Sequence, residues 1–432
     1  MAKYRSENNI KAKYSTVSAA MVLSIAISLP LSALLFFGHN WFDFLFSDER
    51  CMSILVILLP CLVCSSVYSV IRGVFWGNKD FAPYSLIELV EEIVMIIIGI
   101  ILVSKMSSIF DGAKRAAFAI SISYIVSFML AIIVFFSKKE KLGNPKGYIK
   151  PLFLAAAPIT GMRTISSLVN SLVAIILPLR LIASGLTKSE ALAAFGMSFG
   201  MAIPILFIPS TIIGSVAVVL VPELAENYYR HHNSTLKRNI EKAIKFSVIV
   251  ACTLAPILFV LGKDIGLLVY NDITSGVYIS RISAVMLPMS LSLITTSMLN
   301  SINCEKKALI YYCFGAVVML FSLWFLTGSF GSYSLGIGMF VSFSLTSFLN
   351  LRFLNKKSRV NLKYKKFTCF SIIFMLPSCV LGELSYSMLN VYFSTYLAAF
   401  LCMLIMLTIS ISLYAVFDMV NFKELKKYFK KD

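Results

Sequence analysis

The sequence predicts an all-α membrane protein that crosses the bilayer about twelve times. Hydrophobic residues make up 58% of the chain and charged residues only 14%, and the mean hydropathy is +0.84. One soluble core of 432 residues cannot hold that much apolar surface. Apolar runs long enough to cross a bilayer recur along the chain, and part of their pattern repeats. Together these observations favour two helical lobes over any soluble fold.

Each predicted membrane helix is an apolar run of roughly 20 residues or more, the length that a bilayer requires. The first run follows a short polar and basic segment, and it is too long for a cleavable signal peptide, so we expect it to remain as a membrane helix. The twelve runs cover residues 15–37, 51–71, 84–104, 116–136, 151–182, 190–222, 243–262, 279–302, 308–328, 333–354, 367–387 and 394–417.

The positive charges predict the orientation of these helices. Of the 39 lysines and arginines, thirty fall on the side of the N-terminus, seven on the opposite side, and two, Arg163 and Arg180, inside the fifth run. Cytoplasmic loops carry the excess of Lys and Arg in membrane proteins, so we expect both termini in the cytoplasm. The net charge of +18 therefore indicates topology and not nucleic-acid binding. The same basic loops are suited to anionic lipid headgroups.

An internal repeat predicts the arrangement of the helices. A shift of 228 residues pairs Pro60 with Pro288 and Tyr84 with Tyr312, and it aligns runs one to four with runs seven to ten. The partners lie six helices apart, so both copies enter the membrane in the same direction. Runs five and six have no counterpart before run one. We therefore expect the first lobe to lack two helices.

The repeat also predicts three parts of the chain. Residues 1–149 form a first lobe of four helices, which is expected to be shortened, and residues 150–355 form a second lobe of six helices. Residues 356–432 contain a basic loop and two additional C-terminal helices outside the repeat.

Three carboxylates lie within one predicted membrane helix. Glu88, Glu91 and Glu92 occupy an arc of about 100° on the third run. Ionisable residues at membrane depth are candidates for function, so we expect this face to oppose a cation across a cavity, bind a coupling cation or take up a proton. The alternative is that the three glutamates only stabilise the N-terminal end of their helix, where the helix dipole is positive.

Arg163 is the second candidate, because it lies about 20 Å along its helix from Lys150. A guanidinium group is always charged and holds phosphate with two parallel hydrogen bonds. Arg163 is therefore suited to a pyrophosphate-linked lipid. The alternative is that Arg163 binds carbonyl groups freed by Pro158 or pairs with a glutamate.

Other polar residues of the fifth run complete the predicted substrate site. Arg180 is expected near the outer interface, where a snorkelling side chain is the simpler interpretation. Asn170 and Ser171 offer neutral hydrogen-bonding groups to a cavity, although bonds between helices explain such residues equally well.

Several short motifs resemble the polysaccharide-transport branch of the multidrug/oligosaccharidyl-lipid/polysaccharide (MOP) exporter superfamily. Within that branch, the chain most resembles stage V sporulation protein B-like proteins of Gram-positive bacteria, which are related to lipid II flippases. The resemblance rests on the segments 72–77, 157–160, 177–181, 195–196, 200–204 and 220–223.

The resemblance implies two lobes around a central cavity, as in MATE-like proteins, and transport of lipid-linked saccharides by alternating access. The implied pathway is cell-wall, sporulation or capsule biosynthesis at the bacterial cell membrane. Arg163, Arg180, Asn170 and Ser171 then bind the substrate, and the three glutamates provide coupling to protons or sodium or a counter-charge. Two positions depart from the pattern: Val173 stands where some relatives carry an acid, and Met95 where we expect arginine.

Two alternatives stay open at this point. One is a cation-coupled drug antiporter of the MATE type, which would use the three glutamates as its coupling site. The other is a membrane scaffold of the cell envelope without transport activity. An enzyme is disfavoured, because the chain has three histidines and no loop long enough for a catalytic domain. Nine cysteines in mostly apolar runs predict packing and not metal binding, so neither a metal nor a cofactor is expected.

The predicted orientation can be tested with single-cysteine variants. We expect a membrane-impermeant thiol reagent to label intact cells at Cys51, on the outer side, far more than at Cys304, on the cytoplasmic side. Labelling of permeabilised cells serves as the control for reactivity. Stronger labelling at Cys304 in intact cells contradicts the orientation.

Overall fold

The computed structural model describes residues 9–38, 50–78, 80–138, 140–229, 233–302, 304–358 and 364–417. These residues are almost entirely helical, which confirms the predicted all-α class. The chain forms two compact units, the first ending at Ile165 and the second beginning at Ser166. Each unit is described by itself below.

The first unit contains four complete helices and the beginning of a fifth. Its apolar core includes Val17, Ile71, Phe75 and Phe135. In this core α2 packs against α1 and α4, while α3 packs mainly against α4. The helices are α1 (Ile10–Phe37), α2 (Arg50–Gly77), α3 (Phe81–Val103), α4 (Ile109–Ser137) and α5 (Ile149–Ala183), and α5 continues into the second unit.

A polar network at one end of the first unit joins segments that are distant in sequence. The Glu140 carboxylate accepts hydrogen bonds from Lys13 Nζ at 2.8 Å and from Asn78 Nδ2 at 2.7 Å. Gly143 lies so close to α1 that a Cβ atom would be 2.6 Å from the backbone nitrogen of Ser15. The segment after α4 is thereby held against the beginning of α1 and the end of α2.

The second unit contains the remaining helices, two of them interrupted by short segments of a different helix type. They are α6 (Lys188–Phe195), a π-helical segment (Gly196–Ala202), α7 (Ile203–Tyr229), α8 (Asn233–Tyr270), α9 (Ile273–Ile282), a 3₁₀ turn (Ser283–Val285), α10 (Met286–Ser301), α11 (Glu305–Phe330), α12 (Tyr333–Ser358), α13 (Lys365–Tyr392) and α14 (Thr395–Val416).

Each of the twelve predicted membrane spans corresponds to one helix, or to two helices joined by the π-helical segment or the 3₁₀ turn. In the described part of the chain, eleven spans are long and apolar enough to cross a membrane. The twelfth, α3, has 23 residues and carries the three glutamates. Five charged residues that support the predicted orientation lie outside the described residues: Asp43, Asp48, Glu49, Arg359 and Lys363. The division at residues 149 and 355 stays a prediction.

The sequence predicts irregular backbone where proline and glycine interrupt an apolar run, and the sixth span shows it. A π-helical segment that contains Gly196 and Gly200 ends at Ala202, two residues before Pro204. Proline has no N–H and clashes with the preceding turn, and a local π-bulge relieves that clash. The Ser198 hydroxyl donates to the carbonyl oxygen of Ala194 at 2.8 Å, so the irregular turn satisfies a backbone acceptor internally.

The structure corrects one expectation about acidic residues. The sequence ends the seventh run at residue 262 and so places Asp264 in a loop, but α8 continues to Tyr270. Asp264 therefore lies inside a membrane helix and is only 9% exposed. Its Oδ1 accepts a hydrogen bond of 2.7 Å from the Tyr386 hydroxyl of α13. The three glutamates of α3 are thus not the only acids within a span.

The Asp264–Tyr386 hydrogen bond predicts a measurable contribution to stability. Replacing Tyr386→Phe leaves a buried carboxylate without its donor, and we expect the free energy of unfolding to fall by about 1–3 kcal/mol. Thermal unfolding of the purified protein in detergent measures the change. Tyr392→Phe is the control, because that side chain is 82% exposed. An equal effect of both substitutions contradicts the prediction.

Candidate functional site

The candidate site lies where α2 ends and α3 begins, inside the first unit. A connection of three residues separates Gly77 from Phe81, so depth in the bundle can be counted from these two residues. At a rise of 1.5 Å per residue, Arg72 lies about 8 Å from the end of α2. Glu88 lies about 11 Å and Glu91 about 15 Å from the start of α3. The arginine is therefore nearer the connection between α2 and α3 than Glu88 and Glu91 are.

Aromatic rings hold the Arg72 guanidinium. Its central carbon is 6.0 Å from the ring centroid of Trp76 and 5.4 Å from that of Tyr84, and the two rings meet edge to face at 5.7 Å. A cation over an aromatic face gains about 0.5–2 kcal/mol, the higher value applying away from water. No ion pair within 4 Å joins Arg72 to a carboxylate among the described residues. Arg72 is thus held near the glutamates by rings.

The three glutamates occupy different surroundings, although they share one helical face. Glu88 and Glu92 are exposed on the surface of the first unit, and Glu88 interacts with the Tyr84 hydroxyl. Glu91 is half-buried and faces the neighbouring helices α2 and α4. The single acidic face that the sequence predicts is therefore divided, with one carboxylate directed inward.

Hydroxyl groups from two helices surround Glu91. Ser127 of α4 lies against its carboxylate and is fully buried, and Tyr124 of the same helix is an electrostatic neighbour. Tyr68 of α2, only 6% exposed, also has Glu91 as a neighbour. Two buried oxygens, Glu91 Oε2 and the Tyr68 hydroxyl, have no hydrogen-bond partner among the described residues. Such groups are costly and rare in protein interiors.

The charges of this site do not cancel. Arg72 supplies one positive charge against the three glutamates. A negative excess in an apolar bundle is stabilised by a cation or by a proton on one of the carboxylates. The site can therefore bind a cation, exchange a proton or oppose a positively charged group.

The sequence indicates the three glutamates as candidates, but it does not indicate Arg72 or Tyr68 as their neighbours. The second predicted run ends at residue 71, which assigns Arg72 to a loop, whereas α2 continues to Gly77. A signal was available: Arg72 and Trp76 are separated by one helical turn and therefore share a face. Tyr68 carries no comparable signal, because an aromatic residue in an apolar run normally contributes to packing.

The predicted substrate residues lie along α5. Arg163, in the first unit, is exposed, and no hydrogen bond or ion pair joins it to another described residue. Asn170 and Ser171, in the second unit, are exposed neighbours on the same helix. Arg180 places its guanidinium carbon 4.9 Å from the ring centroid of Trp324 on α11, and its Nε is buried without a described partner. Their roles in binding stay predictions.

The first unit and the helices that follow it match known proteins. The polysaccharide biosynthesis protein family matches residues 1–228, which is more than half of the chain. The stage V sporulation protein B of Bacillus subtilis (strain 168) is 22% identical over 396 residues, covering 86% of this chain and 76% of that protein.

Solved structures share the fold at low sequence identity. An inward-facing multidrug resistance MATE family transporter of the MOP superfamily aligns with a TM-score of 0.70 and 14% identity, covering 83% of this chain and 84% of that one. A MOP superfamily transporter from Pyrococcus furiosus Vc1 aligns with a TM-score of 0.64 and 13% identity, covering 83% and 81%.

The sequence match and the helical architecture agree with the resemblance that the motifs indicate. The fold is that of MOP-superfamily transporters, and the apolar helices make the chain a multi-pass membrane protein. The chain belongs to the polysaccharide biosynthesis protein family.

Proposed function

We propose that this protein transports lipid-linked oligosaccharide or polysaccharide precursors across the bacterial cell membrane by alternating access. Family membership and the transporter fold support a membrane transporter. The observation that carries the proposal is the set of charges at membrane depth: Arg72 and three glutamates in the first unit, and two arginines on α5. Charges in a membrane are expensive and mark substrate or ion pathways.

Arg163 is the proposed contact for the anionic part of the substrate. Its exposed side chain has no described partner that would have to be displaced. A planar guanidinium holds two phosphate oxygens at once, which a pyrophosphate linkage offers. Asn170 and Ser171 follow on the same helix and supply neutral donors and acceptors for sugar hydroxyls. Arg180, held over Trp324, is a second cation toward the far end of the helix.

The glutamates of α3 supply the opposing charge. A transporter that binds pyrophosphate tightly must also release it. Carboxylates can help this release by competing with the pyrophosphate for cationic side chains, or by binding and releasing an ion or a proton themselves. Proton or sodium coupling at Glu88, Glu91 and Glu92 would make that change depend on an ion gradient.

A cation-coupled drug antiporter is the second candidate. The excess of carboxylates over cations around Arg72 favours a positively charged ligand, which an antiporter of cationic drugs would carry. The two candidates differ at Arg163, because its guanidinium favours binding of a phosphate group and disfavours binding of a cationic drug.

The proposed orientation has both termini in the cytoplasm, as the charge asymmetry predicts. In this orientation the basic ends of α12 and α13, which include Lys356, Lys357 and Lys366, face the anionic lipids of the inner leaflet. Likeness to a sporulation protein supports a role in envelope synthesis at that stage.

Substitution at Arg163 tests the proposal. In proteoliposomes that contain a fluorescent, pyrophosphate-linked saccharide, we expect Arg163→Lys to lower the rate of translocation about tenfold, because one of two charge-assisted hydrogen bonds is lost, equivalent to about 1.4 kcal/mol. Arg163→Ala should lower it further. The measurement is the rate at which labelled headgroups become accessible to a quencher.

Arg352→Lys is the matched control, since Arg352 is also an exposed arginine on a long helix but lies outside the proposed site. Wild-type transport by Arg163→Ala contradicts the proposed role of Arg163. Transport of organic cations, without movement of the saccharide, would favour the antiporter. A wild-type protein that transports neither the saccharide nor organic cations would favour a scaffold.

A further inference from the structure

The beginning of α5 has little side-chain packing in the first unit. The apolar core of this unit takes residues from α1 to α4 and, among the described residues, none from α5. The described side chains of α5 from Lys150 to Arg163 are all exposed or only partly buried. Apolar contacts inside the unit therefore contribute little to the direction of this helix. That direction depends on the attachment segment, residues 140–148, which joins α4 to α5.

One carboxylate holds the attachment segment. Glu140 Oε1 accepts hydrogen bonds from Lys13 Nζ of α1 at 2.8 Å and from Asn78 Nδ2, directly after α2, at 2.7 Å. Glu140 Oε2 is buried without a described partner, so Lys13 supplies the charge that compensates this carboxylate. The Lys13 and Glu140 side chains are only 16% and 11% exposed, and salt screens such a pair weakly. Loss of either partner would leave the other charge uncompensated.

A second contact lies three residues further along the attachment segment. The Gly143 N–H donates to Ser18 Oγ at 2.9 Å, and a Cβ atom at Gly143 would lie 2.6 Å from the backbone nitrogen of Ser15. The segment therefore lies directly against α1, at a distance that only glycine allows. Five lysines and a single acid lie between residues 138 and 150. Without Glu140, like charges would push this basic stretch away from the basic start of α1.

The position of the attachment segment matters at the proposed substrate site because a helix is stiff. Helix α5 is continuous from Ile149, and Arg163 lies 14 residues later, about 21 Å along the axis. A tilt of about 10° at the start of α5 would move Arg163 by about 4 Å. Hydrogen bonds are lost at much smaller displacements than this. The start of α5 thus determines whether the Arg163 guanidinium can reach two phosphate oxygens at once.

We propose that Glu140, with Lys13 and Asn78, is a positioning residue for substrate binding: it fixes the start of α5 on the first unit and so holds Arg163 where a phosphate can be bound. Glu140 itself acts through Arg163 and does not touch the substrate. This inference rests on the proposed function for the role of Arg163, whereas the attachment of α5 to the first unit can be measured without any substrate.

Hydrogen exchange in the purified, full-length protein tests the attachment. We expect Glu140→Gln to speed exchange of the amides in residues 140–148 about tenfold, because the Gly143 N–H is then no longer held against α1. Asp80→Asn is the matched control. It breaks the nearby ion pair of Lys138 with Asp80, whose side chains are 50% and 36% exposed, and exposed pairs contribute little. Wild-type exchange in Glu140→Gln, or equal acceleration in Asp80→Asn, overturns the attachment.

Exchanging the two charges tests the ion pair itself. Lys13→Glu or Glu140→Lys alone brings two like charges together, and each should speed exchange more than Glu140→Gln does. The two substitutions together form an ion pair again, so exchange should return to within about threefold of the wild-type rate. Such a rescue also shows that the single variants are not simply misfolded. A double variant that exchanges as fast as the single variants contradicts the ion pair.

Spin-label distances test whether the attachment fixes α5. In a variant without the nine native cysteines, Leu154→Cys on α5 and Met129→Cys on α4 place two labels at exposed positions of the first unit. We expect Glu140→Gln to broaden the distribution of distances between the labels, and Asp80→Asn to leave it unchanged. An unchanged distribution in Glu140→Gln overturns the positioning role, whatever the protein transports.

Transport kinetics separate positioning from general stability. In the proteoliposome assay, we expect Glu140→Gln to raise the saccharide concentration for half-maximal translocation about tenfold, with a smaller change in the maximal rate. On the residual translocation of Arg163→Ala, the same substitution should have no further effect, because it acts through Arg163. Additive losses overturn the link to Arg163. If the wild-type protein moves no saccharide, the proposed function and this link fail together, while the exchange and spin-label measurements still decide the attachment.

Discussion

The cost of placing charge in an apolar bundle is the constraint on which this structure depends. The described membrane helices are held together by apolar packing, and the few charges among them require partners. Asp264 has Tyr386, Arg180 has the ring of Trp324, and Arg72 has two rings. Glu91 Oε2 and Arg180 Nε are nevertheless buried without a described partner, and Glu91 has no aromatic ring to compensate. We therefore expect function at charged groups of the bundle whose polar atoms are not all paired.

The two units handle polar groups differently. In the first, Tyr68 and Ser127 are neighbours of Glu91 beside the core that contains Ile71 and Phe75. In the second, the carboxylate of Asp264 joins α8 to α13, and Asn350 donates hydrogen bonds to Thr295 and Thr296 at 3.2 and 3.0 Å. Polar contacts therefore connect helices in the second unit and, at Glu140, segments of the first unit, whereas Glu91 Oε2 and the Tyr68 hydroxyl of the first unit have no described partner.

Arginine is used in two physical roles in this chain. Arg72 and Arg180 lie on aromatic rings, where a weakly hydrated planar cation is stable in an apolar setting. Arg163 has no such support and is exposed on α5, so its charge is free to meet a ligand. This contrast separates Arg72 and Arg180, which contact aromatic rings, from Arg163, for which we propose a contact with the substrate.

The sequence by itself determined the class of fold, eleven of the twelve predicted membrane spans and the presence of three carboxylates on one helix, because apolar length and helical period are local properties. It did not determine where α2 and α8 end, so it placed Arg72 and Asp264 in loops. Only the tertiary structure decided that Glu91 faces Tyr68 and Ser127 while Glu88 and Glu92 remain on the surface. That distinction depends on which helices pack against α3, and packing joins residues that the sequence keeps far apart.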